Sequence, residues 1–142
     1  MAHRYFTIEE ARRLLPKVRL HLEKLMTLQD EVTALSGVKV HAEQMDWTAH
    51  VLAININKRF HELSFKYYAE LEAVTKLGVH VKDVQQGIVD FYSKMGKRDI
   101  MLCWQIDEPD LLHYHTEEEG FQGRKSIHEL SQKLAEEMQS LR

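Results

Sequence analysis

Gly87-Ile88-Val89-Asp90-Phe91-Tyr92-Ser93, then Lys94-Met95-Gly96-Lys97-Arg98, then Asp99-Ile100-Met101-Leu102-Cys103-Trp104-Gln105-Ile106 is the stretch that decides the fold class. Its two arms are rich in β-branched and aromatic residues, and Gly96-Lys97 between them suits a two-residue hairpin turn of the Gly-X type. That turn sets a register in which Met95 opposes Arg98, Phe91 opposes Leu102, Asp90 opposes Cys103 and Val89 opposes Trp104. Side chains alternate along a strand, so Val89, Phe91, Leu102 and Trp104 share an apolar face. Asp90, Tyr92, Met101, Cys103 and Gln105 share the other.

Downstream, Asp107-Glu108-Pro109-Asp110 reads as a turn and Leu111-Leu112-His113-Tyr114-His115 as a short third strand. If Leu112 and Tyr114 turn toward the core, His113 and His115 fall on the side of Asp90 and Cys103. A tight two-residue turn at Glu108-Pro109 would instead set His113 against Trp104 and His115 against Leu102, as core residues. The hydrophobic pattern favours the first arrangement. A loop over residues 117–125 then leads to Ser126-Ile127-His128-Glu129, which has the form of a capping box. Ile127, Leu130, Leu134, Met138 and Leu141 follow at helical spacing and predict a closing helix over residues 126–141.

Upstream the period changes from two to 3.6. Thr7-Ile8-Glu9-Glu10 forms a capping box, and Ile8, Ala11, Leu15, Val18, Leu22, Leu25, Val32 and Leu35 mark a helix over residues 7–35. The apolar phase continues across Pro16, which predicts a kink there, and Gly37 suits a left-handed cap. Met45, Ala49, Leu52, Ile56, Phe60, Leu63, Tyr67, Leu71 and Val74 mark a second helix over residues 42–77. The expectation is an α+β domain spanning residues 1–142. It has a long antiparallel two-helix hairpin, a three-stranded antiparallel meander over residues 87–115 and a C-terminal helix. Helices this long for so small a chain, with Leu14, Leu28, Val51, Ile54 and Phe65 beyond the main stripes, predict a homodimer.

Phe6-Thr7-Ile8-Glu9-Glu10-Ala11 with Leu14-Leu15-Pro16, Lys82-Asp83, Gly87-Ile88-Val89-Asp90-Phe91, Leu102-Cys103-Trp104 with Glu108-Pro109, and His115 with Gly120-Phe121-Gln122-Gly123-Arg124 together resemble a family of small bacterial proteins, domain of unknown function 2203. The resemblance covers nearly the whole chain. It implies a bacterial cytosolic protein and carries no established activity. The sequence departs from the pattern at Tyr92, where a proline is expected, and at His113, where an aromatic residue is expected.

Bulk properties exclude several classes. Nineteen Lys and Arg against 22 Asp and Glu, interleaved along the chain, provide no basic face for nucleic acid. No apolar run approaches the roughly 20 residues that span a bilayer, and the N-terminus lacks a signal-like core. With one cysteine there is no intramolecular disulfide, and the cytoplasm is the simplest location.

Nine histidines raise the question of metal. Residues three before His21, His50 and His61 are Val18, Trp47 and Lys58, so the Glu-x-x-His pairs of di-iron bundles are absent, as are His-Glu-x-x-His and Cys-x-x-Cys. The meander is the better place to look. Asp90, Cys103, His113 and His115 on one face combine a carboxylate, a thiol and imidazoles, a set that suits a divalent transition metal such as zinc. Glu117–Glu119 could add a ligand, and the same groups could act as an acid/base pair or lower the thiol pKa. The plainer alternative is that His115 orders the loop and Cys103 fills the core.

A second candidate is Arg124-Lys125-Ser126, where a glycine-containing loop entering a helix could hold an anion. Against it stands an ion pair of Arg124 with a carboxylate. The functional expectation is a small cytosolic interaction or regulatory module with a polar pocket beside the meander. The alternative is a metal-binding protein or metal-dependent enzyme using His, Cys and Asp ligands.

Overall fold

The computed structural model describes residues 3–38 and 46–130. Helix α1, Ile8–Ser36, begins at the expected capping box: the Glu10 N–H donates to Thr7 Oγ1 at 3.1 Å, and the Thr7 N–H donates to Glu10 Oε1 at 3.2 Å. The helix continues through Pro16 and buries Ala11, Leu15, Val18, Leu22 and Leu25. Gly37 caps it with φ −79°, in the right-handed region, so the left-handed cap expected there does not form. Helix α2, Trp47–Lys76, is capped by Asp46, whose carboxylate accepts from the Ala49 N–H at 2.8 Å. The start expected at residue 42 lies outside the described residues. The helices form a hairpin, tied where His21 of α1 meets Glu70 of α2.

Five strands follow in place of three: β1, His80–Asp83; β2, Ile88–Met95; β3, Arg98–Gln105; β4, His113–Thr116; and β5, Lys125–Ser126. They form one antiparallel sheet in the order β1-β2-β3-β4-β5. The two additional strands are four and two residues long, too short for a period-two pattern to be read. Ser126, expected to open the last helix, instead pairs with His113 in β5, and its hydroxyl accepts from the His128 N–H at 3.3 Å. Residues 127–130 are helical, and the remainder of that expected helix lies outside the described residues.

The β2–β3 register is the one the hairpin turn dictates, with Gly96 at φ +63° supplying the conformation that turn requires. The β3–β4 connection is longer than the tight turn at Glu108-Pro109 that would put both histidines in the core. Trp104 Nε1 donates to the Glu108 carbonyl at 3.1 Å, and the Gln105 N–H donates to Glu108 Oε1 at 2.7 Å. From α1, Arg12 donates to the Leu111 carbonyl and pairs with Asp110, while Arg19 donates to the Ile106 and Glu108 carbonyls and lies over the Trp104 ring. With the loop so tethered, His113 falls opposite Cys103 and His115 opposite Met101. Tyr114 enters the core as expected, but Leu111 rather than Leu112 is its fully buried neighbour.

The core lies between α1 and one sheet face, joining Val18, Leu22 and Leu25 to Val89, Phe91, Leu102, Trp104 and Tyr114. The opposite face is also buried at Asp90, Tyr92, Met101, Cys103 and His115. An N-terminal strap covers its edge. The Phe6 N–H donates to the Tyr92 carbonyl, Ser93 Oγ donates to the Phe6 carbonyl, and the His3 ring stacks on Tyr92 at 3.8 Å.

Candidate metal centre

Three strands bring the polar residues of the second face together. Asp90 on β2 and Cys103 on β3 are direct cross-strand partners. His115 on β4 sits two residues along from the position opposite Cys103, and its ring reaches over β3 to Asp90. Nε2 of His115 lies 3.1 Å from Asp90 Oδ1. One ligand-type atom from each of Asp90, Cys103 and His115 falls within 4.8 Å of the other two, and all three residues are buried. In a tetrahedral zinc site with bonds of about 2.0–2.3 Å, ligand atoms stand about 3.5 Å apart, so small side-chain rotations would close the set on an ion.

The protonation pattern is informative. His115 Nδ1 is 2.7 Å from the Thr116 carbonyl, which can only accept, so Nδ1 carries a proton. Nε2 also faces an acceptor, the Asp90 carboxylate. Without a metal, a second proton on the ring would satisfy both contacts. Burial works against that charge, but the bonds to Asp90 and the Thr116 carbonyl outweigh it and raise the His115 pKa above its usual value. Asp90 Oδ2 has no hydrogen-bond partner among the described residues, and Lys82 Nζ, at 3.8 Å, is the cation paired with it. Cys103 is a thiol in this environment, since burial first and the Asp90 charge second push its pKa up to about 12.

The trio opens onto a cavity of about 370 Å³, lined also by Lys82, Gln86, Met101, Glu117, Phe121 and Gln122. His113 shares the face but turns away to Glu108, with Nδ1 at 2.9 Å from Oε2. Of the four residues proposed from sequence as ligands, three converge and His113 stands apart. The anion candidates are each engaged within the chain. Arg124 pairs with Glu108 Oε1 at 2.8 Å and lies over the Phe121 ring, Lys125 meets Glu119 at 3.3 Å, and the Ser126 hydroxyl takes the His128 N–H.

Two contributors escape a motif search. Lys82 belongs to no ligand or catalytic motif, and its approach to Asp90 depends on β1 pairing with β2. Glu108, which joins Arg124, His113 and the Gln105 backbone, looked like a turn residue.

Residues 4–127 match the family model described as an uncharacterized conserved protein, DUF2203. The chain belongs to the DUF2203 family. No curated protein and no solved structure matches it. The matched span takes in every strand of the sheet and all three residues of the trio, so the DUF2203 region contains the whole candidate centre. No helix among the described residues is long and apolar enough to cross a membrane.

Proposed function

We propose that this chain is a metal-binding protein in which Asp90, Cys103 and His115 hold one divalent transition metal, with zinc the best match. The observation that supports this most directly is the placement of the His115 ring between two acceptors. A metal at Nε2 would take the place of the second proton and neutralise Asp90. The Nδ1–H bond to the Thr116 carbonyl would remain as the outer contact that fixes the tautomer of a metal-ligating imidazole. A thiolate, an imidazole and a carboxylate suit zinc better than magnesium or calcium. A three-residue set leaves the fourth position open to water or a small ligand, and the cavity lies on that side. A free thiol kept as a ligand fits a reducing compartment such as the cytosol.

The test is elemental analysis of protein purified without chelators, followed by titration with Co²⁺. Near one equivalent of zinc is expected, together with a thiolate-to-cobalt absorption band that vanishes in Cys103→Ser and weakens in His115→Ala. A wild-type protein that takes up neither metal while remaining folded would remove the reading. An interaction or regulatory role is a second reading, favoured by the large apolar side chains that α2 leaves exposed.

A further inference from the structure

Helix α2 carries two stripes. One, with Phe60, Leu63, Tyr67, Leu71 and Val74, faces α1 and the sheet; Leu63 and Val74 are buried, and Tyr67 and Leu71 pack against or into the core region. The other consists of Trp47, Val51, Ile54, His61, Phe65 and Tyr68. With Lys58 these fall at positions 47, 51, 54, 58, 61, 65 and 68, an unbroken alternation of four and three residues. That is the a/d spacing of a coiled-coil seam. At about 100° per residue this seam lies about 150° around the helix from the first stripe. Trp47 is 79% exposed, Phe65 76%, Tyr68 66%, Ile54 46% and Val51 36%.

We propose that this second seam is a homodimer interface, with α2 of one protomer lying antiparallel along α2 of its partner. The pattern complements itself when reversed. About a two-fold axis between residues 59 and 60, Ile54 meets the partner's Phe65 and Val51 meets the partner's Tyr68, each pair occurring twice. Lys58 meets the partner's His61 near the axis. A parallel arrangement would set Lys58 against the partner's Lys58, like charges at close range.

The area suffices. Trp47, Phe65 and Tyr68, of about 150–250 Å² each, expose about 400 Å² per protomer along a seam about 32 Å long. A standard interface takes about 800 Å² per partner, so these three side chains supply about half of it, and a groove beside Phe65 extends the surface. That groove, of about 600 Å³, opens beside Phe65 and is lined by Leu20, Leu28 and Ala69, with Glu23 and Lys24 at its rim.

The experiment is sedimentation of the full chain across micromolar concentrations. Wild type is expected to be dimeric at tens of micromolar. Phe65→Glu is expected to weaken association by roughly a hundredfold or more, with the far-ultraviolet circular dichroism of the fold retained. Val51→Lys alone is expected to weaken the dimer, and Val51→Lys with Tyr68→Glu is expected to restore it, because each Lys then meets a partner Glu. A wild type that stays monomeric overturns the proposal, as does a dimer indifferent to Phe65→Glu. Failure of the double variant to recover overturns the antiparallel register. Since these residues lie on α2, away from the trio, the outcome is independent of metal uptake.

Discussion

The two faces of the sheet are buried to a similar degree and are built on opposite principles. Trp104 and Cys103 are neighbours in sequence, both fully buried, and point to opposite sides. The Trp104 side is mostly apolar packing against α1; its indole N–H has the Glu108 carbonyl as partner, and the Tyr114 hydroxyl is buried there with no hydrogen-bond partner among the described residues. The Cys103 side holds an imidazole, a carboxylate and a thiol, with one carboxylate oxygen that has no hydrogen bond among the described residues. Burying a carboxylate, an imidazole and a thiol together costs more than burying aromatic and aliphatic side chains, so the two faces contribute differently to stability.

The largest expected effect is a test of that division. Trp104→Ala should destabilise the protein by about 3–5 kcal/mol through lost burial and a residual cavity. Cys103→Ser, one residue away, should cost about 1 kcal/mol or less in metal-free protein, because the hydroxyl can donate to Asp90. Urea denaturation of both variants without metal provides the comparison. Equal losses would mean that the pocket face is as much a packing surface as the core.

A smaller effect is expected at the rim of the pocket face. Arg124 and Glu108 are a partly buried pair, with side-chain exposures of 16% and 14%. Arg124→Ala should lower stability by about 2–3 kcal/mol, since the partly buried Glu108 carboxylate would lose its guanidinium partner and keep only the Gln105 N–H and His113. Arg124→Lys should recover part of this, losing the planar contact with Phe121. The readout is the urea midpoint of each variant. A midpoint unchanged in Arg124→Ala would free Arg124 from its structural role and reopen its use in anion binding.

Most of what positions the trio was legible from two devices in the sequence. Glycine at the Gly96 turn fixes the β2–β3 register, and the alternation of Leu112 with Tyr114 against His113 with His115 places the histidines on the face of Asp90. The second inference reached the correct side although its premise held only for Tyr114, because Leu111 takes the buried place. What was not legible depended on contacts distant in sequence. Strands β1 and β5 exist because Val81 and Lys125 find partners in Val89 and Tyr114, and short segments acquire strand structure from such neighbours. The separation of His113 from the trio is set by Glu108, whose side chain is held by Arg124 from the far end of the loop. No local pattern encodes that bridge. On α2, by contrast, the exposed 4-3 spacing was present in the letters and was masked by the stronger core stripe on the same helix.

The smallest effect, and the one that separates the two faces most cleanly, is the dependence of stability and metal uptake on pH. In metal-free protein the His115 pKa is raised above the ordinary 6.5, so its stabilising contribution is complete below that value and is lost as pH rises through the folded pKa. Cys103 acts in the same direction at higher pH. The folded thiol keeps its proton to about 12, whereas an unfolded one releases it near 9.0, so the native state becomes less stable between those values. Metal uptake should have the opposite slope. Binding needs a thiolate and an imidazole free at Nε2, so at least one proton leaves at neutral pH and a second leaves below the His115 pKa. The logarithm of zinc affinity should rise by about two per pH unit below the folded His115 pKa and by about one per unit above it. Competition titrations against a chromophoric chelator at several pH values measure this slope, alongside urea midpoints of the metal-free protein. In Cys103→Ser the slope should fall by about one, while Trp104→Ala, on the other face, should leave it unchanged. A wild-type affinity independent of pH would mean that the metal is not held by the thiol and imidazole of this face.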